Sequence, residues 1–186
     1  MSIKNIIKKY EDIALSDKEV LKLVDGKCNV ILYPDLHKYQ SIDQVLDPYG
    51  SCLLLFAAQV KPNYYGHWCC INRVENNNNK IEFFNPYGGY PDDSLNYISG
   101  EIRRESNQDL PYLSELLLKS PYDLSYNQYK FQKHSDHIKS CGRWCALRIL
   151  LKNLSLIEFN NLIKKLTKKF KLTNDQLVTI LTMYIN

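Results

Sequence analysis

A chain of 186 residues with 45% hydrophobic and 24% charged residues and a net charge of +4 can bury one ordinary core, which excludes a disordered or fibrous protein. The longest apolar stretch, Cys52 to Val60, is broken by Gln59 and is far short of a membrane span, and Met1 to Lys9 hold no secretory signal. The sequence therefore reads as a single domain over residues 1–186, with no membrane segment and no export. The mild positive charge permits an acidic or nucleic-acid partner without arguing for one. Six cysteines in a non-exported chain should remain thiols. Cys69 and Cys70 are adjacent, Cys141 and Cys145 are four apart and no CxxC occurs, so no metal site is expected.

In chain order, Ile3, Ile6, Ile7 and Tyr10 recur at helical spacing. Ser16-Asp17-Lys18-Glu19 is a capping box that opens a second helix running through Val24. Asn29 to Tyr33 is a β-branched run stopped by Pro34, and reads as a strand. After the turn Asp47-Pro48-Tyr49-Gly50, Ser51 to Ala58 is an apolar strand. Gly66 to Val74 and Lys80 to Phe84 form a hairpin around the polar tract Glu75 to Asn79, and Asn85 to Gly89 is another turn. Asp92 to Ser120 reads as mostly helical, and Tyr122 to Gln132 as aromatic-rich with room for a strand. Three helices complete the chain. One starts near Cys141 and runs to about Lys152. The next is capped by Ser155 and Glu158, with Phe159, Leu162, Ile163, Leu166 and Phe170 as its apolar stripe. The last is capped by Thr173 and Gln176 and ends in Tyr184-Ile185. The expected fold is α+β, a mixed sheet flanked by helices.

Thiol chemistry needs a nucleophilic sulfur, an imidazole to move its proton and donors for an oxyanion. A sulfur in the first turn of a helix lies among free amides and at the positive end of the dipole. Ser140-Cys141-Gly142-Arg143-Trp144-Cys145 offers that position, with Ser140 as the expected cap and Gly142 as room for a substrate backbone. Among four histidines, His67 opens an apolar strand, and the hairpin brings it beside Asn85 at the end of the neighbouring strand. His134, Asp136 and His137 precede the helix and read as solvated loop residues. Lys164, Lys165, Lys168 and Lys169 share one helix face, which reads as solvated surface or as a nucleic-acid contact.

The series Gly66-His67-Trp68, Phe83-Phe84-Asn85-Pro86-Tyr87-Gly88, Gln132 and Cys141-Gly142-Arg143-Trp144-Cys145 resembles the adenovirus maturation protease (adenain) and the wider Ulp1-like cysteine proteases, over roughly residues 29–152. The resemblance implies a papain-related fold with the nucleophile at a helix N-terminus. It implies Cys141 as nucleophile, His67 as base, Asn85 as the residue that orients it and Gln132 as oxyanion donor. Trp68 would shape a narrow substrate channel. Asn85 stands where the family carries an acid. Gln132 lies nine positions before Cys141 where the family has six or seven, so either the loop 134–140 is longer or Gln128 or another donor substitutes.

The resemblance further implies a maturation protease of a small DNA virus, of virophage or Polinton type. Such an enzyme would be a monomer acting on capsid or scaffold precursors in the virion and the host-cell cytoplasm. It would need no metal or organic cofactor, with DNA or a peptide as the kind of activator. Other readings of the same residues are an isopeptidase acting on ubiquitin-like proteins, an acyltransferase, and a catalytically silent DNA-binding virion protein.

Overall fold

In the computed structural model, which describes residues 3–59, 65–74 and 79–183, the apolar runs of the sequence form one five-stranded sheet in chain order. Strand β1 (Asn29–Leu32) is parallel to β2 (Ser51–Gln59), which is antiparallel to β3 (Tyr65–Arg73). Strand β4 (Lys80–Phe84) is antiparallel to β3 and parallel to β5 (Asp123–Tyr126). The helices are α1 (Ile3–Glu11), α2 (Asp17–Leu23), α3 (Ile42–Leu46) and α4 (Gly100–Glu105). They continue with α5 (Tyr112–Leu118), α6 (Cys141–Leu150), α7 (Leu156–Phe170) and α8 (Asn174–Met183).

Both faces of the sheet are covered, which explains why β2 and β3 read as nearly unbroken apolar runs. Their side chains alternate between two cores with the period of a strand. Leu53, Leu55, Trp68 and Cys70 face α2, α6, α7 and α8, whereas Cys52, Leu54, Phe56, Cys69 and Ile71 face α3, α5 and the 3-10 turn Tyr33–Lys38. The parallel pairs require crossovers, and the two long connections supply them through that turn and α3, and through α4 and α5. The capping boxes at Ser16 and Ser155 form as their spacing predicts, and Thr173 and Gln176 exchange the equivalent bonds.

The segment from Asp92 to Ser120 is helical only in pieces: a 3-10 turn (Asp93–Tyr97), α4 and α5. Phe170 does not join the buried stripe of α7. It is 54% exposed, because the helix ends there with Lys171 in a left-handed conformation that turns the chain away. The polar tract at residues 75–78 and the expected end of α8 at Tyr184-Ile185 lie outside the described residues.

Helix α6 is fixed to the sheet by a buried ion pair. Arg148 Nε and Nη2 donate to the two carboxylate oxygens of Glu82 on β4 at 2.7 and 2.8 Å, with both side chains almost fully buried. The guanidinium also donates to the carbonyls of Leu151 and Leu154 just past the end of the helix, and lies 5.1 Å from the Phe159 ring centroid. Removing one partner leaves a desolvated charge, which costs about 3–5 kcal/mol. Arg148→Met should therefore lower the urea unfolding free energy by about that amount, and adding Glu82→Leu should recover a large part of it. A single variant as stable as the parent would show that the pair does not secure the helix.

Candidate functional site

Cys141, Cys145 and Arg148 lie on one face of α6, at i, i+4 and i+7, and that face meets the sheet. Arg148 reaches β4, and Cys145 Sγ–H donates to the Trp68 carbonyl on β3 at 3.3 Å. The same register lays the first turn of α6, with Cys141, against the strand segment that carries His67 and Trp68. Ser140 does not cap the helix. Its hydroxyl donates to Asp175 Oδ1 on α8 at 2.6 Å, which pulls the loop onto α8 instead. Gly142 is also not open space for a substrate. A Cβ there would lie 2.9 Å from Val20 Cγ2 and 3.2 Å from Trp68 Cδ1, so the glycine serves close packing of α6 on α2 and β3.

His67 pairs with Phe56 across β2, and Gly66 before it is required by the backbone: a Cβ would fall 1.8 Å from the Phe56 carbonyl oxygen. His67 Nε2 contacts Asn85 Oδ1 at 2.9 Å. Asn85 Oδ1 already accepts the Tyr87 backbone N–H at 2.9 Å, which identifies it as the carbonyl oxygen of the amide. A carbonyl oxygen can only accept, so Nε2 carries the imidazole proton and Nδ1 is left as the basic nitrogen. Asn85 is itself 2% exposed and held on both sides of its backbone by Asn127, which accepts from its N–H at 2.8 Å and donates to its carbonyl at 2.7 Å. The Tyr87 ring stacks on His67, with centroids 4.5 Å apart, and on His134 with its other face at 3.8 Å.

Cys141, His67, Trp68 and Gln132 border one groove of about 880 Å³, walled by Leu15, Val30, Leu32 and Leu55. Trp68 is fixed there by donating its indole N–H to the Leu15 carbonyl at 3.1 Å. The charged side chains on the groove are Asp17, Asp35, Asp136 and Lys139. One N–H of the Gln132 amide donates to the Ile138 carbonyl at 3.0 Å, leaving its second N–H for another acceptor. Gln128 is excluded as the groove donor, because it lies on a different pocket beside Tyr126.

The electrostatics differ from those expected of a helix terminus. Burial pushes the Cys141 thiol up, against the opposing pull of the backbone amides of Trp68, Gly142 and Cys141. Burial also pushes His67 down to about 4, with the bond to Asn85 acting in the opposite direction and His134 adding to the fall. The two groups are therefore a neutral thiol and a neutral imidazole near pH 7. All six cysteines are free and buried, and burial raises Cys28 to about 12 and Cys52, Cys69 and Cys145 well above the ordinary thiol range.

Other assignments divide. Lys164, Lys165, Lys168 and Lys169 are exposed, as their spacing predicts, with Lys164 over the Tyr129 ring at 5.6 Å. Asp136 and His137 are solvated, but exposed His134 is not a bystander, since it completes the stack on Tyr87. Asn127, Tyr87 and Asp175 escape a reading of the sequence, because an Asn or Tyr in a turn and an Asp in a first helical turn are commonplace. Among the described residues, no group of three or more His, Cys, Asp or Glu side chains could hold a metal ion, and no helix is long and apolar enough to cross a membrane.

No known protein-family profile matches the chain. It is 52% identical over 177 residues to "Uncharacterized protein V9" of Sputnik virophage, a match that covers 95% of this chain and 98% of that protein.

The lowered His67 sets a pH dependence of stability. Between about pH 6.5 and about 4 the unfolded chain binds a proton at this position that the folded chain does not. Its contribution is therefore complete above about 6.5 and lost as the pH falls toward 4. Urea unfolding across this window should show stability rising with pH, and His67→Gln should flatten the rise. An unchanged slope in that variant would place the titration elsewhere.

Proposed function

The chain belongs to the family of the Sputnik virophage V9 protein, and from that viral setting and the geometry of the groove we propose that it is a cysteine endopeptidase with the fold and chemistry of adenain and the Ulp1-like proteases. The observation that carries the proposal is the hydrogen bonding of Asn85. Its carbonyl oxygen fixes the Nε2–H tautomer of His67 and leaves Nδ1 as a base on the groove that Cys141 also borders.

The proposed reaction uses these positions. With thiol and imidazole both neutral, His67 Nδ1 takes the Cys141 proton as the sulfur attacks a peptide carbonyl. The carbonyl π pair moves to oxygen, and the resulting oxyanion is met by the Cys141 backbone amide and the second N–H of Gln132. As the tetrahedral intermediate collapses, the C–N bond breaks and the imidazolium gives its proton to the leaving nitrogen, forming an amine and a thioester. Water then attacks the thioester, losing its proton to His67 Nδ1, and the carboxylic acid is released with the thiol restored. The substrates of this reading are capsid or scaffold precursors, cut in the virion or the host-cell cytoplasm by a monomer. Trp68 narrows the groove beside the nucleophile; Gly142 contributes by packing the helix.

Purified protein incubated with the capsid proteins encoded beside it should cleave them, and Cys141→Ala should abolish cleavage while keeping the parent circular dichroism spectrum. Alkylation of Cys141 by iodoacetamide should keep accelerating through about pH 9, because its thiol lies above the ordinary range. A folded Cys141→Ala protein that still cleaves would end this reading, and a rate that levels near neutrality would replace the neutral pair with an ion pair.

DNA is the proposed activator, and the exposed lysines of α7 are its proposed contact. Each phosphate neutralised adds about 0.9 to the log–log salt slope of duplex affinity. Replacing Lys164, Lys165, Lys168 and Lys169 with Glu should weaken binding to all duplex sequences alike and reduce that slope. Salt-insensitive binding, or none, would leave the face as ordinary surface.

A further inference from the structure

Across Tyr87 from the Cys141 groove lies a second concavity of about 480 Å³, walled by Tyr87, Tyr90, Tyr97, Tyr126 and His134. Tyr87 borders both spaces, so the two adjoin along the edge of the stacked His67, Tyr87 and His134 rings. Two tyrosines of this pocket are open to solvent, whereas Tyr87 and Tyr126 are half-buried. Tyr97 is 76% exposed and Tyr90 58%, with Tyr90 resting on Tyr126 at 4.3 Å between centroids. Rings of this size left in water at the end of a groove mark a recognition surface.

The charges around the rings decide what they recognise. Asp93 is half-buried and fixed, its Oδ2 accepting the Tyr90 N–H at 2.7 Å. Gly89, at φ +115°, keeps the space this carboxylate needs: a Cβ there would lie 2.8 Å from Asp93 Oδ2. The other charge is Lys130, which is exposed and free to direct its ammonium into solvent. Several π faces around a held carboxylate attract a cation, and a planar guanidinium matches both the faces and the acid.

The path also has a direction. In the proposed reaction His67 protonates the nitrogen that leaves, so the chain attached to that nitrogen departs past the imidazole and along the edge of Tyr87, which stacks on it. The stack advances 4.5 Å from His67 to Tyr87 and 3.8 Å more to His134, which an extended chain at about 3.3 Å per residue covers in two or three residues. We propose that the tyrosine pocket is the leaving-side specificity subsite, and that it takes an arginine or lysine side chain two or three residues after the scissile bond. This rests on the protease reading above, and deepens it to a class of substrate.

The test separates binding from turnover. The probes are the peptides Ala-Arg-Arg-Ala-amide and its citrulline counterpart, the latter isosteric but uncharged, titrated into the Cys141→Ala protein. The arginine peptide should bind about tenfold more tightly, and Tyr97→Ala and Asp93→Asn should each remove about three- to tenfold of that advantage. In the catalytically intact protein the same two changes should lower kcat/KM for substrates with arginine after the scissile bond. They should leave a peptidyl-aminomethylcoumarin, which has no residues on that side, unaffected. Equal affinity for the two peptides, or variants that bind both as before, would overturn the subsite while leaving the protease reading intact. Arginine-selective binding beside an inert Cys141 would overturn it too, as a cation pocket with no scissile bond to serve.

Discussion

The bidentate contact between Arg148 and Glu82 governs where everything else on α6 can lie. A buried guanidinium and carboxylate tolerate little sliding, since moving α6 by one residue would strand both charges in the core. Cys145 then falls against the Trp68 carbonyl, and Cys141, one further turn away, against the strand that bears His67. The pair lies at the opposite end of α6 from the groove, so the anchor of the helix and its reactive end are separate.

The trio of His67, Asn85 and Tyr87 works through a similar economy of partners. Asn85 Oδ1 receives both an imidazole N–H and a backbone N–H, so a single carbonyl fixes the tautomer and the turn that follows. An acid in this position would hold the imidazolium more strongly. An amide leaves the ring neutral, in keeping with the low value that burial imposes on His67. The thiol, raised by burial, matches it. The proposed reaction then keeps charge separation for the moment of attack, and the amides around Cys141 are already oriented to receive it.

How much of this was legible in the sequence depended on whether a residue acts locally. The strand limits, the capping boxes and the hairpin juxtaposition of His67 with Asn85 follow from spacing and turn chemistry, and the structure carries them. Alternation on a sheet covered on both faces was legible as continuous apolar runs. Ser140 and Gly142 were misread because their local roles, cap and open space, gave way to tertiary partners, Asp175 and the Val20–Trp68 contact. The helix terminus at Cys141 was legible in sequence, but the depth of its burial, which raises the thiol, was not. Asn127 left no signal at all, since an asparagine that frames another asparagine forty-two residues earlier has no local pattern.

The unusual spacing of Gln132 finds its account in α8. Nine positions separate it from Cys141, against the six or seven expected under the proposed protease reading, and a longer loop would by itself let the glutamine drift. Asp175 prevents this by accepting from both ends of the loop: the Lys133 N–H at 3.0 Å and the Ser140 hydroxyl at 2.6 Å, with the Trp144 indole N–H at 3.2 Å securing the helix as well. Three donors on one buried carboxylate offset its desolvation and close the loop at a fixed width. Within that frame Lys139 N–H donates to the Glu11 carbonyl on α1, and Ile138 takes one N–H of Gln132. The extra residues bulge outward as Ser135, Asp136 and His137, where they are solvated. The distance from Gln132 to Cys141 is thus set by a carboxylate from the last described helix, and the number of residues between them is free to vary.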